Sequence, residues 1–264
     1  MTNLSDVEDL YNAWQGSPYP SIKTSSYFPV YSKIFQHLRG SNCTFVETGI
    51  LAGGSLFMWR KWLGNNARII GIDLNPEAIK WKDHGFEIFI GDQGDPLFWQ
   101  DILPKIGKID GFLDDGGHQS FQQIITVSEL LNFVKNDCTI AVEDTYTSFM
   151  NDFSSHKDHS FLEFCKDISD FITARSFNLY PNRFPKISNE IYLEKCKNIH
   201  SVSFFNGITV FDLLPTLCTE PQIVRNKSFL TQTKDYRYDG INHGSITWPH
   251  LYFSTKVYIS GSKK

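Results

Sequence analysis

Cysteine is scarce and unpatterned. The five cysteines, Cys43, Cys138, Cys165, Cys196 and Cys218, are scattered, odd in number and never form a C-x-x-C pair. That argues against a disulfide framework or a clustered zinc site and predicts reduced, mostly buried thiols in a cytoplasmic protein. Long apolar runs are also missing. The longest are strand-length, far short of the roughly 20 residues that cross a bilayer, so no membrane partner is expected. Basic residues are not in excess: 25 Lys and Arg stand against 29 Asp and Glu, a net charge of −4. No basic stripe is available to neutralise a phosphate backbone, so no nucleic-acid partner is expected either. The opening segment MTNLSDVEDLYNAWQG is acidic and polar, unlike a signal peptide. Internal repeats and low-complexity stretches are absent.

Apolar residues make up 41% and charged residues 20% of the 264 positions, the balance of an ordinary globular protein. From residue 43 onward the chain alternates between short apolar runs and amphipathic segments. The runs are CTFVETG, ARIIGIDLNP, FEIFIGDQGD, IDGFLDDGGH and CTIAVEDTY; SLFMWRKWLG, PEAIKWKDHG, PLFWQDILPKIG and SFQQIITVSELLNFVK read as the intervening helices. Continuous apolar strands alternating with helices predict a parallel sheet covered on both faces, a doubly wound Rossmann-like α/β fold. Residues 201–213, SVSFFNGITVFDL, are two apolar runs split by Asn206-Gly207, the signal for a tight antiparallel hairpin. The sheet is therefore expected to have seven strands, the last one antiparallel. Three regions follow: an N-terminal helical segment (1–40), in which SSYFPVYSKIFQHLRG carries Tyr27, Phe28, Tyr31, Ile34, Phe35 and Leu38 at helical spacing; a main domain (41–212) with a lid-like insertion at 145–198; and a C-terminal extension (213–264).

Ligands of such sheets bind at the carboxyl ends of the strands. Here each of the five strands ends in acid: Glu47, Asp73, Asp92, Asp114 with Asp115, and Glu143 with Asp144. The first loop, VETGILAGGS, does not have the G-x-G-x-x-G spacing of a dinucleotide site. Its acid beside the glycines disfavours a pyrophosphate and suits a ligand carrying an ammonium group. Asp73, 24 residues after Gly49, is placed to accept ribose hydroxyls, and Asp92 lies where an adenine would sit. Together these describe S-adenosylmethionine better than NAD. Gly53, Ser55, Gln93 and Asp114 fall on the same expected edge.

Asp115, Glu143 and Asp144 end the fourth and fifth strands. Three converging carboxylates repel unless a cation neutralises them, and hard oxygen ligands suit Mg²⁺, Mn²⁺ or Ca²⁺. His118, three residues past Asp115, is the candidate general base for a hydroxyl proton. For His156 and His159 in the insertion, a solvated face is the default; for Arg183, a surface loop. His243 and His250 lie in the tail.

In this order, SSYFPVYSKIF, VETGILAGGSLFMW, IIGIDLNP, GDQGD, DDGGHQSFQQ and AVEDTYTSF resemble class I S-adenosylmethionine-dependent sugar O-methyltransferases, of the macrocin and mycinamicin O-methyltransferase type. The resemblance covers about residues 25–150. It implies methyl transfer to a hydroxyl of a sugar or sugar-derived acceptor in surface-polysaccharide or natural-product glycan biosynthesis. It implies Mg²⁺, or Mn²⁺, held by Asp115, Glu143 and Asp144, with His118 and Asp115 catalytic. Glu47, Gly49, Asp73, Asp92 and Asp114 fall on cofactor positions of that family. Its members often carry Ser where this chain has Gly117. The expected partner is a small-molecule or glycan acceptor, a nucleotide-activated sugar among the candidates; a homo-oligomer is left open. The competing readings are a non-sugar or phosphorus-linked acceptor, a non-catalytic S-adenosylmethionine-binding module and an NAD-dependent oxidoreductase. Methylation of nucleic-acid bases is disfavoured by the charge and by the lack of an Asn/Asp-Pro-Pro-Tyr segment.

Overall fold

A computed structural model describes residues 4–154, 160–174 and 196–219. Two stretches of the expected insertion, 155–159, with His156 and His159, and 175–195, with Arg183, lie outside the described residues. So does most of the C-terminal extension, with His243 and His250.

Seven strands form one sheet: β1 (Thr44–Thr48), β2 (Arg68–Asp73), β3 (Glu87–Ile90), β4 (Gly111–Asp114), β5 (Cys138–Val142), β6 (Ile199–Phe204) and β7 (Thr209–Leu213). Their order is β3-β2-β1-β4-β5-β7-β6. Strands β1 to β5 pair in parallel, and β7 runs antiparallel to both neighbours, β5 and β6. The doubly wound sheet with an antiparallel last strand is thus what the strand-helix alternation and the Asn206-Gly207 turn predict. The six α-helices among the described residues are α1 (Leu4–Gln15), α2 (Tyr27–Phe35), α3 (Gly54–Leu63), α4 (Pro96–Ile106), α5 (Ser120–Phe133) and α6 (Phe161–Ala174).

The two faces of the sheet follow from the period-2 alternation of side chains. Phe45, Ile69, Leu113 and Ala141 point to the core under α1, α2 and α3. Their neighbours Val46, Ile70, Phe112 and Ile140 point to the core under α4, α5 and α6. Each of the larger of these, fully buried, contributes roughly 1.5–3 kcal/mol of transfer free energy. The connections start where the sequence carries capping residues. Asp95 accepts the Leu97 amide at 2.9 Å ahead of α4, and Asn75 accepts the Glu77 amide at 3.0 Å ahead of a 3₁₀ segment, Pro76–His84. In both cases proline follows the cap, so no N–H is wasted.

The chain reverses its winding between β1 and β4. Such a switch point leaves a crevice above the carboxyl ends of the strands. Hydrogen bonds extend the ladders into the loops there: Gly49 N–H to Ile72 O at 2.8 Å, Asp115 N–H to Thr48 O at 2.9 Å and Glu143 N–H to Asp114 O at 2.8 Å. The acids that end the strands are therefore held by the sheet itself.

Candidate functional site

A cleft of about 470 Å³ opens at this switch point. The structure brings Gly49, Ser55, Asp73, Asp92, Gln93, Asp115, His118 and Asp144 to its wall. Glu47, Gly53 and Asp114 are not on the wall. Each sits one layer behind it, because each is buried against a partner of its own.

Gly49 adopts φ +82°, and a Cβ there would lie 2.0 Å from the Asp115 carbonyl oxygen. Only glycine lets the first loop approach the DDGG turn this closely. Gly53, just ahead of α3, has φ +79°, and a Cβ there would lie 2.3 Å from the Trp81 ring. Asp73 is committed to the loops: Oδ2 accepts the Ile50 and Leu51 amides, both at 3.0 Å, and Oδ1 accepts Asn75 N–H at 2.8 Å. Its carboxylate thus shapes the first loop while still lining the cleft. Asp92 accepts the Gly94 amide through Oδ1 at 2.7 Å.

Asp114 is 1% exposed. Gln93 Nε2 donates to both of its oxygens, at 3.0 and 3.1 Å, and the Gly116 amide donates to Oδ1 at 3.2 Å. Burial pushes its carboxyl up to about 6, with these hydrogen bonds pulling the other way. Gln93 Oε1 in turn accepts Gly117 N–H at 2.8 Å. A Cβ on Gly116 would collide with the Gln93 carboxamide, and one on the more exposed Gly117 with that of Gln122, so the turn has room for neither side chain without a glutamine moving. Asp114 is therefore a brace for the turn, reached through Gln93, rather than a wall residue.

Glu47 is fully buried; Ser55 Oγ donates to its Oε2 at 2.7 Å and Lys23 Nζ to its Oε1 at 3.2 Å. Lys23 also reaches Asp115 Oδ2 at 2.6 Å and Glu143 Oε1 at 3.1 Å. The cation expected beside Glu47 is thus met, in the chain itself, by a lysine. Burial alone would depress the ammonium, but Glu143, Tyr31, Asp115 and Glu47 together raise it well above its ordinary value. Glu47 and Glu143 are both raised, first by burial and then by Asp115, against the lowering effect of Lys23. Three acids share one positive charge, and the crowding of carboxyls around it favours retention of a proton among them.

Two tyrosines complete the arrangement. Tyr31 donates to Glu143 Oε1 and Tyr27 to Asp144 Oδ1 at 2.5 Å. Both phenols are raised, first by burial. Lys23, Tyr27 and Tyr31 stand four residues apart in sequence. The two tyrosines lie on one face of α2, with Lys23 just ahead of it. None of the three was legible as a site residue. Aromatics at helical spacing read as a core face, and only the facing acids reveal the hydroxyls. The sequence signal that could have found them is the Lys-x₃-Tyr-x₃-Tyr spacing upstream of so many strand-end carboxylates.

Asp115, His118 and Asp144 offer ligand atoms within 4.8 Å of one another, all three partly exposed to the cleft. His118 Nε2 lies 3.4 Å from Asp144 Oδ2, and its buried Nδ1 has no hydrogen-bond partner. Glu143 is not part of this convergence. Its Oε1 serves Lys23 and Tyr31, leaving Oε2 as its oxygen for a further cation. The backbone marks the same place. Among the described residues, Leu51, His118 and Asp144 are the non-glycine positions with positive φ, at 44°, 57° and 54°, and all three line this cleft. Such strain, of order 1–3 kcal/mol each, collects at functional sites.

No protein-family model matches the chain. It is similar to the 8-demethyl-8-alpha-L-rhamnosyl tetracenomycin-C 2'-O-methyltransferase of Streptomyces olivaceus, with 28% identity over 131 residues, 47% of this chain and 34% of that protein. It is also similar to the demethylmacrocin O-methyltransferase of Streptomyces fradiae, with 25% identity over 137 residues, 49% of this chain and 34% of that protein. The structure resembles the MycE methyltransferase from the mycinamycin biosynthetic pathway, solved in complex with Mg and SAH. Its TM-score is 0.65 at 21% identity, over 79% of this chain and 54% of that one. The chain thus spans about a third of the length of these curated relatives and about half of the solved one. The fold is that of class I methyltransferases, and the curated relatives are the sugar O-methyltransferases that the DDGGH and VEDTYTS motifs resemble.

Proposed function

We propose that this chain transfers the methyl group of S-adenosylmethionine to a hydroxyl of a sugar or sugar-derived acceptor, with the help of one divalent cation, Mg²⁺ or Mn²⁺. The observation that carries this reading is the convergence of Asp115, His118 and Asp144 on the cleft that Gly49, Asp73 and Asp92 also line. The names of the similar proteins support it, as does the Mg and SAH bound by MycE, which was also solved with mycinamycin VI.

The donor set fits the cation: Asp115 Oδ1 and Asp144 Oδ2, in the converging group, are not committed to Lys23 or Tyr27, Glu143 Oε2 stands behind them outside that group, and hard oxygen donors select Mg²⁺ or Mn²⁺ over softer metals. A cation there would bind the acceptor hydroxyl and lower its pKa. Gly49, Ser55, Asp73, Asp92 and Gln93 would line the cofactor side, with Glu47, Gly53 and Asp114 supporting them from behind. The acceptor oxygen attacks the methyl carbon as the carbon–sulfur bond breaks. His118 takes the hydroxyl proton, and S-adenosylhomocysteine leaves. The sulfonium already activates the methyl group, so most of the protein's work is alignment, which can supply roughly 7–11 kcal/mol at best.

Surface glycans, antibiotic sugars and nucleotide-activated sugars are the acceptor classes to screen. The reading fits a reducing, cytoplasmic setting, in keeping with the buried thiols of Cys43, Cys138 and Cys165. Among the described residues no helix is long and apolar enough to cross a membrane. The test is calorimetry with S-adenosylmethionine and NAD, followed by transfer of labelled methyl groups to that panel with Mg²⁺ and with EDTA. Binding of NAD and not of S-adenosylmethionine would refute the reading, and full turnover in EDTA would remove the cation from it.

A further inference from the structure

Lys23 occupies a position built like a cation site. Its Nζ is held at 2.6, 3.1 and 3.2 Å by single oxygens of Asp115, Glu143 and Glu47, from the ends of β4, β5 and β1. The side chain is 1% exposed. An ammonium has three donors, and here all three go to carboxylates. The neighbouring convergence of Asp115, His118 and Asp144 shares one of these acids. Asp115 therefore stands between two cation positions, as a bridging carboxylate does in a two-metal site, where the ions lie about 3.5–4 Å apart.

The lysine reaches this place on a segment outside the sheet. Residues 17–22 lie over the first turn of α3: Ser17 Oγ donates to Gly54 O at 2.8 Å, and a Cβ on Gly54 would meet Tyr19 O at 2.2 Å and Pro20 O at 2.5 Å. Tyr19 packs edge-on against Trp81 with ring centroids 4.6 Å apart. The strand ends thus create a carboxylate pair of sites, and a separate piece of chain fills one of them.

We propose that Lys23 is a positioning residue that takes the place of a second divalent cation. It neutralises the floor of the centre, fixes one oxygen each of Asp115 and Glu143, and limits the centre to the one ion at the cleft wall. The one-ion count rests on the metal-assisted reading above; the replacement of a cation by Lys23 does not.

The experiment is a Mn²⁺ titration by isothermal calorimetry and electron paramagnetic resonance on the full chain, comparing wild type, Lys23→Ser and Lys23→Met. Serine removes the charge and opens the space; methionine removes the charge and keeps the space filled. Lys23→Ser is expected to bind one more Mn²⁺ than wild type, with line broadening from two neighbouring ions, and Lys23→Met no more than wild type. A change from one ion to two supports both readings. A change from none to one supports the lysine proposal and refutes the cation in the proposed function. Equal stoichiometry in wild type and Lys23→Ser overturns the proposal, as does an extra ion in Lys23→Met. If Lys23→Ser is unfolded in metal-free buffer, recovery of its circular dichroism with Mn²⁺ supports the proposal. If it stays unfolded at millimolar Mn²⁺ while Lys23→Met folds, the proposal fails, because the lysine stem is then a packing requirement.

Discussion

Gly49→Ala is the most direct probe of how the first loop and the DDGG turn depend on each other. The added methyl would be placed 2.0 Å from the Asp115 carbonyl oxygen, 2.5 Å from its carbon and 2.7 Å from Gly116 Cα. All three are backbone atoms anchored to the sheet, so no side chain can swing away. The φ of +82° adds the strain of an L-residue in left-handed space, about 1–2 kcal/mol. Forcing a methyl into a packed region costs about 1–3 kcal/mol more. The sum is about 2–5 kcal/mol, and for a chain of this size each kcal/mol lowers Tm by roughly 2–4 °C. A fall of about 4–20 °C in a thermal melt is expected. Because Asp115 moves with its carbonyl, Mn²⁺ affinity should fall as well. Gly85→Ala is the control: φ is +81°, with nothing within 4 Å of the new Cβ. It should show the strain alone and unchanged Mn²⁺ affinity. If Gly49→Ala melts no lower than Gly85→Ala and binds Mn²⁺ as wild type does, the coupling between loop and turn is refuted.

Two further predictions concern the same turn. Asp114, raised to about 6, keeps a proton in the folded state after the unfolded chain, with an ordinary value near 3.8, has lost it. Its contribution is therefore fully present below about pH 4 and is lost as pH rises through about 6, an effect on the order of 3 kcal/mol. Urea denaturation across this window should show that decline in wild type and not in Asp114→Asn; parallel curves would refute it. His118→Gly keeps the positive φ without strain and removes the imidazole. Turnover should drop roughly 10²–10⁴-fold with S-adenosylmethionine affinity and Tm retained. Near-wild-type turnover would end the base assignment, and a parallel loss of Mn²⁺ affinity would make His118 a ligand instead.

Most of the fold was legible because each apolar run is bounded by a turn or capping residue that ends it. Asn75-Pro76 and Asp95-Pro96 stop strands and start helices, and Asn206-Gly207 closes a hairpin. The strand-end acids were legible as a row because a parallel sheet places every carboxyl end on one edge. Their depth was not. Glu47 and Asp114 look the same in sequence as Asp73 and Asp92, yet Ser55 and Lys23 draw the first under the surface and Gln93 the second. Partners 8, 24 and 21 residues away decide that, and local pattern carries no record of them. Tyr27 and Tyr31 were read as apolar contributors to a helix face, which they are; their hydroxyls have a second function that periodicity does not encode.

The ammonium of Lys23 also has a consequence for the order in which the molecule can be assembled. Its three partners lie 24, 92 and 120 residues further along the chain. During synthesis the lysine emerges first and the last of its acids only with the end of β5. The centre cannot close until the chain has been made as far as Glu143, and two of its three bonds span most of the parallel sheet in sequence. A chain interrupted just before residue 143 would hold all five parallel strands and still leave the lysine short of one acid, so the centre needs one residue more than the parallel sheet itself.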